Sequence, residues 1–263
     1  MTAFIADHTG LLRSQSDFLR PVHIGAALCD DNLIGPEPDH LSANNISRCE
    51  AYADLRLYHH IYKNYKGKCE HLAILQHRRM YYLGLPAFSD FKSQLIRGKS
   101  NISRSTKITV TGAFKQRYLS HLLRQTDECL RSEFYGSDVV ANKVSFKKQS
   151  VQEQYLSALK ATYPSRPEYL DAWYDMRSIL EREISPSLVS KCLDGNVCYV
   201  HNCLITDWDN FEKYYHFLFY VIDELSDYSE VFRLFGWLSE RILGVHLAAL
   251  NLNVRPKTIM FFD

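Results

Sequence analysis

Two patterns in the sequence predict an α/β fold with a mainly helical C-terminal part. In the N-terminal half, an apolar segment at residues 22–28, a loop, a helical pattern and a second apolar run at residues 71–75 follow one another in the order of an α/β unit. In the C-terminal half, long amphipathic patterns typical of helices predominate. The chain of 263 residues is therefore expected to form one large domain.

The composition is that of a soluble globular protein, with 46% hydrophobic and 23% charged residues. Basic and acidic side chains number 31 and 30, so the formal net charge is only +1. Proteins that bind nucleic acids through the phosphate backbone usually carry a basic excess, and this class is therefore disfavoured. No apolar run approaches the ~20 residues that span a bilayer, and the N-terminus lacks the cationic lead of a signal peptide.

The seven cysteines are scattered along the chain and none of them form a C-x-x-C pair. A zinc site of the usual spacing is therefore not expected. A disulfide scaffold is not expected either, because the number is odd and the chain is long for such a fold. We expect reduced cysteines in a cytoplasmic protein.

The first two strand-like segments each end in residues suited to a ligand. Residues 3–6 predict a strand, and Asp7 and His8 follow it, either at a nucleotide-binding edge or in an ordinary surface loop. Gly25 lies in the apolar segment at residues 22–28. A glycine there allows the backbone to approach another group closely.

A helix is predicted to follow the polar loop of residues 29–42. Ser47 is expected to be its N-cap, with Glu50 completing a capping box, and the apolar stripe continues to Tyr65. Gly67 is a suitable residue to end the helix. Asp54 comes one residue before Leu55 of this stripe, which favours an orientation of its side chain toward a site.

The apolar run at residues 72–75 has the length of a buried strand, and Gln76, His77, Arg78 and Arg79 come directly after it. In an open α/β sheet, ligands bind outside the carboxyl ends of the strands. Two adjacent guanidinium groups at such an end suit a diphosphate, which accepts paired hydrogen bonds. The competing interpretation is that one arginine pairs with a nearby carboxylate and the other is solvated.

The rest of the chain predicts further helices and short strands. The helices are expected at residues 114–134, 150–161, 168–183, in a segment that begins at 207, and at 229–251, and the strands at residues 108–111, 139–140, 144–146, 197–205 and 258–262. His201 and Asn202 interrupt one apolar strand. A buried polar pair in a strand needs hydrogen-bond partners, so this step is either structural or faces a ligand.

Six short stretches follow one another along nearly the whole chain. They are Asp7-His8, Ile24-Gly25-Ala26-Ala27-Leu28, Asn45-Ile46-Ser47, Tyr62-Lys63-Asn64, His77-Arg78-Arg79 and Gly236-Trp237-Leu238-Ser239-Glu240-Arg241. The series resembles a family of bacterial capsular and exopolysaccharide glycosyltransferases, formerly described only as a domain of unknown function. The corresponding family motifs are Thr-His, Val-Gly-Ala-Ala-Leu, Asn-Ile-Ser, Cys-Glu-Leu-Thr-x-x-Tyr-Trp-x-Trp-Lys-Asn, His-Tyr-Arg-Arg and Gly-Phe-Leu-x-Glu-Arg. No single motif is specific for this family, but the order of the six motifs is.

The chain departs from the family pattern at four positions. The family's histidine before Tyr-Arg-Arg falls on Gln76, and its tyrosine falls on His77. Its helix glutamate falls on Asp54, and the threonine after the first strand falls on Asp7. A subfamily with another sugar preference and a partial loss of activity are two explanations that the sequence leaves open.

The resemblance implies a nucleotide-sugar transferase with a GT-A-like fold, a Rossmann-type mixed sheet flanked by helices, in a single domain over residues 1–263. Residues 1–147 are expected to bind the nucleotide sugar, and residues 148–263 are expected to form a mainly helical acceptor side. The substrates would be a nucleotide-diphosphate sugar and a hydroxyl group of a glycan or lipid-linked glycan. Peripheral attachment at the inner face of the plasma membrane is left open.

No cofactor is expected to be required. Arg78 and Arg79 would replace a metal ion as the counter-charge to the diphosphate, so that leaving-group charge develops beside fixed cations. A divalent metal such as Mn²⁺ is the alternative counter-charge. The acidic residues that could bind it have a competing interpretation, in which they lie in a solvated loop or at a helix N-cap. These candidate ligands are Asp30, Asp31, Asp207 and Asp209.

Transfer with inversion of the anomer also requires a base. Glu240 is the first candidate, followed by Asp54, and His77 completes the catalytic set. The competing interpretation is that Glu240 forms an ion pair with Arg241, with Arg233 or with a neighbouring strand. Contacts to the donor are expected from Asp7, His8, Gly25, Ala26, Asn45, Ser47, Gln76, Arg78, Arg79, Asn202 and Arg241.

Two other function classes compete with the transferase. A non-catalytic module that binds a nucleotide sugar or a glycan would retain the arginines and lack turnover, as the residues at Gln76 and Asp54 would allow. A nuclease or RNA-binding protein would use the basic segment at residues 98–107, but the near-neutral charge and the lack of a metal-ligand cluster argue against it.

Overall fold

The computed structural model describes residues 1–8, 18–29, 35, 37–41, 45–76, 79–81, 96–97, 102–103, 108–110, 131–132, 134–257 and 259–262. Most of the helix predicted at residues 114–134 lies outside these ranges, as do Asp30, Asp31, His77 and Arg78.

Eleven strands are found within the described ranges. They are β1 (Thr2–Asp7), β2 (Leu19–His23), β3 (His71–Gln76), β4 (Arg79–Tyr81), β5 (Ile96–Arg97), β6 (Ile102–Ser103), β7 (Ile108–Val110), β8 (Val139–Phe146), β9 (Val197–Asp207), β10 (Val254–Pro256) and β11 (Ile259–Phe262). The strand predicted from the run at residues 71–75 is confirmed. Its four apolar residues are almost fully buried, which is the environment that a continuous apolar run favours.

Six strands form the main body of the sheet, in the spatial order β2-β1-β3-β9-β8-β10. Strands β1, β2 and β3 run parallel, β9 runs antiparallel to β3, and β8 runs antiparallel to β9. Strands β4, β11, β7 and β5 extend the sheet from the end of β3, and β6 pairs with β8. The central position of β9 means that both halves of the chain contribute to one sheet.

Six α-helices flank the sheet in the described part of the chain. They are α1 (Leu55–Tyr65), α2 (Val151–Thr162), α3 (Glu168–Glu183), α4 (Pro186–Leu193), α5 (Trp208–Glu224) and α6 (Leu234–Ala249). Helix α6 packs on β9, while α1 packs on β1 and α5. The resulting core contains large aromatic side chains such as Trp173, Tyr155 and Phe211.

Two predicted helix starts are wrong. The helix expected from Ser47 begins only at Leu55, because the backbone at Ala53 has a φ of 46° and separates α1 from a single 3₁₀ turn. Ser47 caps no helix, since its hydroxyl donates to Asp39 instead. The last helix begins at residue 234 rather than 229, after a left-handed Arg233.

A further difference concerns the two short strands predicted at residues 139–140 and 144–146. They form one strand, β8, with an irregular register between Ala141 and Lys143 rather than a turn. The amide of Asn142 donates to the carbonyl of Lys257 at 2.8 Å, which satisfies a polar group within the sheet. Among the residues described above, no helix has both the length and the apolar character needed to cross a bilayer.

Candidate functional site at the carboxyl ends of the parallel strands

The three parallel strands end at the same edge of the sheet. Ala6 is paired in register with both Val22 and Gln76, and Asp7 is paired with His23. The residues that follow these strands therefore lie side by side at one edge. This is the edge at which open α/β sheets bind ligands.

His8, Asp54 and Gln76 form a hydrogen-bonded group at this edge. Asp54 Oδ1 lies 2.9 Å from His8 Nε2, and Asp54 Oδ2 accepts a 2.6 Å hydrogen bond from Gln76 Nε2. The carboxylate is 11% exposed, whereas the imidazole is 40% exposed. A buried carboxylate thus orients a histidine ring that remains accessible to a ligand, an arrangement that suits proton transfer or hydrogen bonding.

Strand β9 contributes a strained backbone segment to the same edge. His201 and Asn202 have φ angles of 78° and 48°, in the left-handed region that costs a non-glycine residue about 1–3 kcal/mol. The carbonyl of His201 accepts a hydrogen bond from Gln76 Nε2 at 2.7 Å. The carbonyl of Asn202 accepts one from Tyr58, and its side chain bonds to Ser239 and to the carbonyl of Gly236. The surrounding contacts therefore hold this conformation in place.

Glu240 supports the strained segment from helix α6. Its Oε1 accepts a 2.8 Å hydrogen bond from the backbone N–H of His201, and its Oε2 lies 2.7 Å from Arg241 Nη1. Arg241 also donates to Gln154 and lies over the ring of Tyr155. Both carboxylate oxygens of Glu240 are thus engaged, and the expected ion pair with Arg241 is present.

A buried carboxylate organises the turn after β2. Asp39 accepts hydrogen bonds from the backbone N–H groups of Gly25 (2.8 Å) and Ala26 (3.1 Å) and from the hydroxyl of Ser47 (2.5 Å). The hydroxyl of Ser47 in turn accepts one from the N–H of Ala27. The donors of Gly25, Ala26 and Ser47 are therefore directed at a carboxylate of the protein itself.

Arg56 lies against this turn from the start of α1. It is 6% exposed, and its Nε and Nη2 both donate to the carbonyl of Cys49, at 3.2 and 3.0 Å. A Cβ atom on Gly25 would lie 2.2 Å from Nη1 of Arg56. Burial lowers the pKa of the guanidinium, and the charge of Asp39 is the strongest of the effects that oppose this.

The remaining predicted site residues are placed as follows. Asp7 is buried at the end of β1. Asn45 donates to the carbonyl of His40 and accepts from the N–H of Ser47, which shapes the loop. Arg79 is the register partner of Gln76 in β4, and its side chain lies outside the described part of the chain, as do His77 and Arg78.

The acidic residues considered as metal ligands give no cluster within the described ranges. No group of three or more His, Cys, Asp or Glu side chains there is arranged to hold a metal ion. Asp207 acts as an N-cap, with its side chain accepting a hydrogen bond from the N–H of Asn210 at 2.7 Å.

The family of the chain follows from comparison with known proteins. Residues 2–251 match a family described as a domain of unknown function, DUF4422. The chain belongs to this family. No curated protein matches its sequence.

A solved structure described as the apo form of WbbM, a bifunctional glycosyltransferase, is similar in fold. The TM-score is 0.75 at 18% sequence identity, and the alignment covers 100% of this chain and 45% of that one. The chain thus spans less than half the length of that protein. At this identity the likeness shows the fold, which is the GT-A-like mixed sheet flanked by helices that the sequence predicts.

Two residues of this edge are not among those that the sequence singles out. Asp39 lies in a polar loop with no local pattern to mark it. Arg56 stands between Leu55 and Leu57, and seven consecutive residues of α1, from Leu55 to Ile61, are buried. A charged residue within such a continuous buried helix is the signal that would have identified it.

Proposed function

We propose that this protein transfers a sugar from a nucleotide-diphosphate sugar to a hydroxyl group of a glycan or lipid-linked glycan acceptor. The acceptor would belong to a bacterial cell-surface polysaccharide such as a capsule or an exopolysaccharide. The observation that carries the proposal is the His8–Asp54–Gln76 group at the carboxyl edge of a GT-A-like sheet. The structural neighbour is described as a bifunctional glycosyltransferase, which supports the same activity class.

In this proposal His8 is the group that meets the substrate. Its imidazole is the more exposed partner of the pair, while Asp54 is held by Gln76 with one oxygen toward the ring. A carboxylate behind an imidazole stabilises the imidazolium that forms when the ring accepts a proton. His8 would therefore accept the proton of the acceptor hydroxyl if the anomer inverts, with Asp54 as a positioning residue.

Glu240 fits a positioning role better than that of a base. Its two oxygens already accept hydrogen bonds from the protein, one from the N–H of His201 and one from Arg241, so neither is left to meet a substrate hydroxyl. Through the N–H of His201, the carboxylate holds the left-handed segment whose carbonyl contacts Gln76. We assign to Glu240 the maintenance of this edge.

Arg78 and Arg79 remain the proposed counter-charge to the diphosphate leaving group. They follow Gln76, the last residue of β3, closely in the sequence, and a guanidinium pair stabilises developing phosphate charge without a metal ion. This part of the proposal predicts turnover in the presence of a chelator. Replacement of Arg78 by alanine is expected to abolish transfer and to leave the fold intact.

The direct test is a screen of nucleotide sugars for saturable binding and for release of the nucleoside diphosphate. It is run with manganese and again with a chelator. Binding with slow hydrolysis that survives the chelator supports the metal-free transferase. Loss of both on chelation contradicts the metal-free site, and an absence of binding to every nucleotide sugar contradicts the proposed function.

A non-catalytic binding module is the second candidate. It is favoured by Gln76, an amide that cannot transfer protons, at the position where the resembling family carries histidine. Saturable binding without turnover, even when candidate glycan acceptors are supplied, would support the module. The two candidates share the same site and differ only in the chemistry that follows binding.

A further inference from the structure

Arg56 is a buried cation with few partners. It is 6% exposed, and its neighbours Leu55 and Leu57 are fully buried. A guanidinium carries five N–H donors. Two of them are used, because Nε and Nη2 each donate one hydrogen bond to the carbonyl of Cys49. Within the described part of the chain, Arg56 makes no ion pair with a carboxylate and no other hydrogen bond.

The unused donors of Arg56 lie together at the end of its guanidinium. One belongs to Nη2 and two belong to Nη1. One donor from each of these nitrogens forms the end-on fork that recognises two oxygen atoms of a single anion. The side edge of the group is already fixed by the carbonyl of Cys49. The orientation of the fork is therefore set before any ligand arrives.

Gly25 provides the space for this fork. A Cβ atom at residue 25 would lie 2.2 Å from Arg56 Nη1, a distance that no side chain allows. The φ of Gly25 is also +73°, which favours glycine. Gly25 follows directly on the end of β2, where Ile24 bonds to the carbonyl of Asp7. The guanidinium therefore reaches the same edge as the His8–Asp54 pair.

The nearby acid does not neutralise Arg56 by direct contact. Asp39 already accepts from two backbone N–H groups and from Ser47, and its charge acts on Arg56 only through space. Burying a cation without a hydrogen-bonded counter-charge is costly. A buried charged group with unused donors at a ligand-binding edge is a candidate for a functional site.

We propose that the end-on fork of Arg56 binds the diphosphate of a nucleoside-diphosphate ligand at the carboxyl edge of β1 and β2. This inference rests on the proposed function, since it names the anion of the donor as the partner. It adds a buried anchor that is distinct in position from Arg78 and Arg79. Asp39 and Gly25 act as positioning residues, because they shape the turn against which the guanidinium lies.

The test is a calorimetric titration of wild type, Arg56→Gln and Arg56→Lys with uridine and guanosine diphosphates, the matching nucleosides and inorganic diphosphate. Removing charge-assisted hydrogen bonds to phosphate is expected to weaken nucleoside diphosphate binding by about ten- to a hundredfold in Arg56→Gln. Arg56→Lys, which keeps the charge and lacks the fork, is expected to fall in between. Affinity for the nucleosides is expected to stay the same.

Arg166→Gln is the matched control, because this arginine is exposed and its side chain forms an ion pair with Glu168. It is expected to bind like wild type. The melting temperature without ligand separates a structural role from a binding role. If Arg56 served only to hold the carbonyl of Cys49, Arg56→Gln would lower the melting temperature and leave the relative affinities for diphosphate and nucleoside unchanged, which would overturn the proposal.

The failure of this inference can be told apart from that of the proposed function. Sugar transfer by wild type with undiminished nucleoside diphosphate affinity in Arg56→Gln overturns the inference alone. Arg56-dependent binding of diphosphate without any transfer overturns the transferase and supports the inference. If neither variant folds, a crystal structure of wild type with uridine or guanosine diphosphate decides: phosphate oxygens within hydrogen-bond distance of Nη1 support the proposal, and their absence overturns it.

Discussion

Arg177 and Arg56 show how differently two partly or fully buried arginines are used in this molecule. Arg177, on α3, uses all three nitrogens: Nε donates to Glu181 at 2.9 Å, and the other two donate to Asp194 at 2.7 and 2.9 Å. It also bonds to Gln152 and Ser190, so it joins α2, α3 and α4. Arg56 is more deeply buried and uses two donors on one backbone carbonyl.

We infer that this difference separates a region that stabilises the fold from the proposed binding region. At the junction around Arg177, each charge has a counter-charge, and hydrogen bonds from Arg177 lower the pKa of Asp194. At the carboxyl edge, Arg56 makes no ion pair with a carboxylate of the described residues, and the charges of Asp39, Glu50 and Asp54 act on it only through space. Variants at the edge should therefore change activity, and variants at the junction should change stability.

The largest effect is expected for Asp54→Asn. The amide can still accept from Gln76, but it presents an N–H to Nε2 of His8 and so favours the other tautomer of the ring. We expect kcat for sugar transfer to fall by about a hundredfold or more, with a melting temperature close to that of wild type. Steady-state kinetics with the donor identified in the screen measure this.

The control for that variant is Asp171→Asn, at an exposed position of α3. It removes the same charge and should leave kcat unchanged. Equal kcat values for Asp54→Asn and wild type would remove His8 and Asp54 from the chemistry.

A smaller effect, and one on stability alone, is expected for Arg177→Met. Loss of the bonds to Glu181 and Asp194 is expected to lower the free energy of unfolding by about 1–3 kcal/mol, a figure reduced for the partial exposure of these groups. Urea denaturation measures it. Arg182→Met, which removes a more exposed arginine of the same helix, should cost less than Arg177→Met, because its ion pairs are screened by solvent. A selective loss of donor affinity in Arg177→Met would contradict the division between the two regions.

The smallest effect at neutral pH concerns His246, on α6. Burial, aided by the charge of Lys213, lowers its pKa to about 4, and its Nε2 has no hydrogen-bond partner in the described part of the chain. Its folded pKa lies below the unfolded value of 6.5, so the unfolded chain takes up the proton first. Stability should therefore fall by about 1.4 kcal/mol per pH unit as the pH drops from 6.5 toward 4.

The variant His246→Leu tests this pH dependence. It should be close to wild type in stability at pH 7 and more stable than wild type at pH 5, as measured by thermal unfolding at both values. Parallel pH profiles of the two proteins would show that His246 is not the group responsible.

The sequence predicts the sheet better than it predicts the site. The run at residues 72–75 is apolar throughout, and a continuous apolar run marks a buried parallel strand without any knowledge of its neighbours. Asp207 was identified as a helix cap from a local preference, which the structure confirms. The sequence does not predict helix α4, because a helix of eight residues that begins at Pro186 is too short to show a clear helical periodicity.

The site depends on contacts between distant parts of the chain. The local spacing predicts a capping box at Ser47. Its hydroxyl donates to Asp39 instead, because the loop folds back on the turn after β2. The contact of Gln76 with the carbonyl of His201 joins residues 125 positions apart. The pairing of Asp54 with His8 is equally non-local. Such contacts are fixed by the topology of the sheet and not by any sequence pattern.

The most direct test of the division between the two regions is hydrogen–deuterium exchange of wild type with and without a saturating nucleoside diphosphate. We expect slower exchange in peptides that cover residues 18–29 and 45–60, at the carboxyl edge, and unchanged exchange in residues 168–194, around Arg177. Protection confined to residues 168–194, or no protection with any nucleoside diphosphate, would contradict the assignment of the carboxyl edge as the binding site.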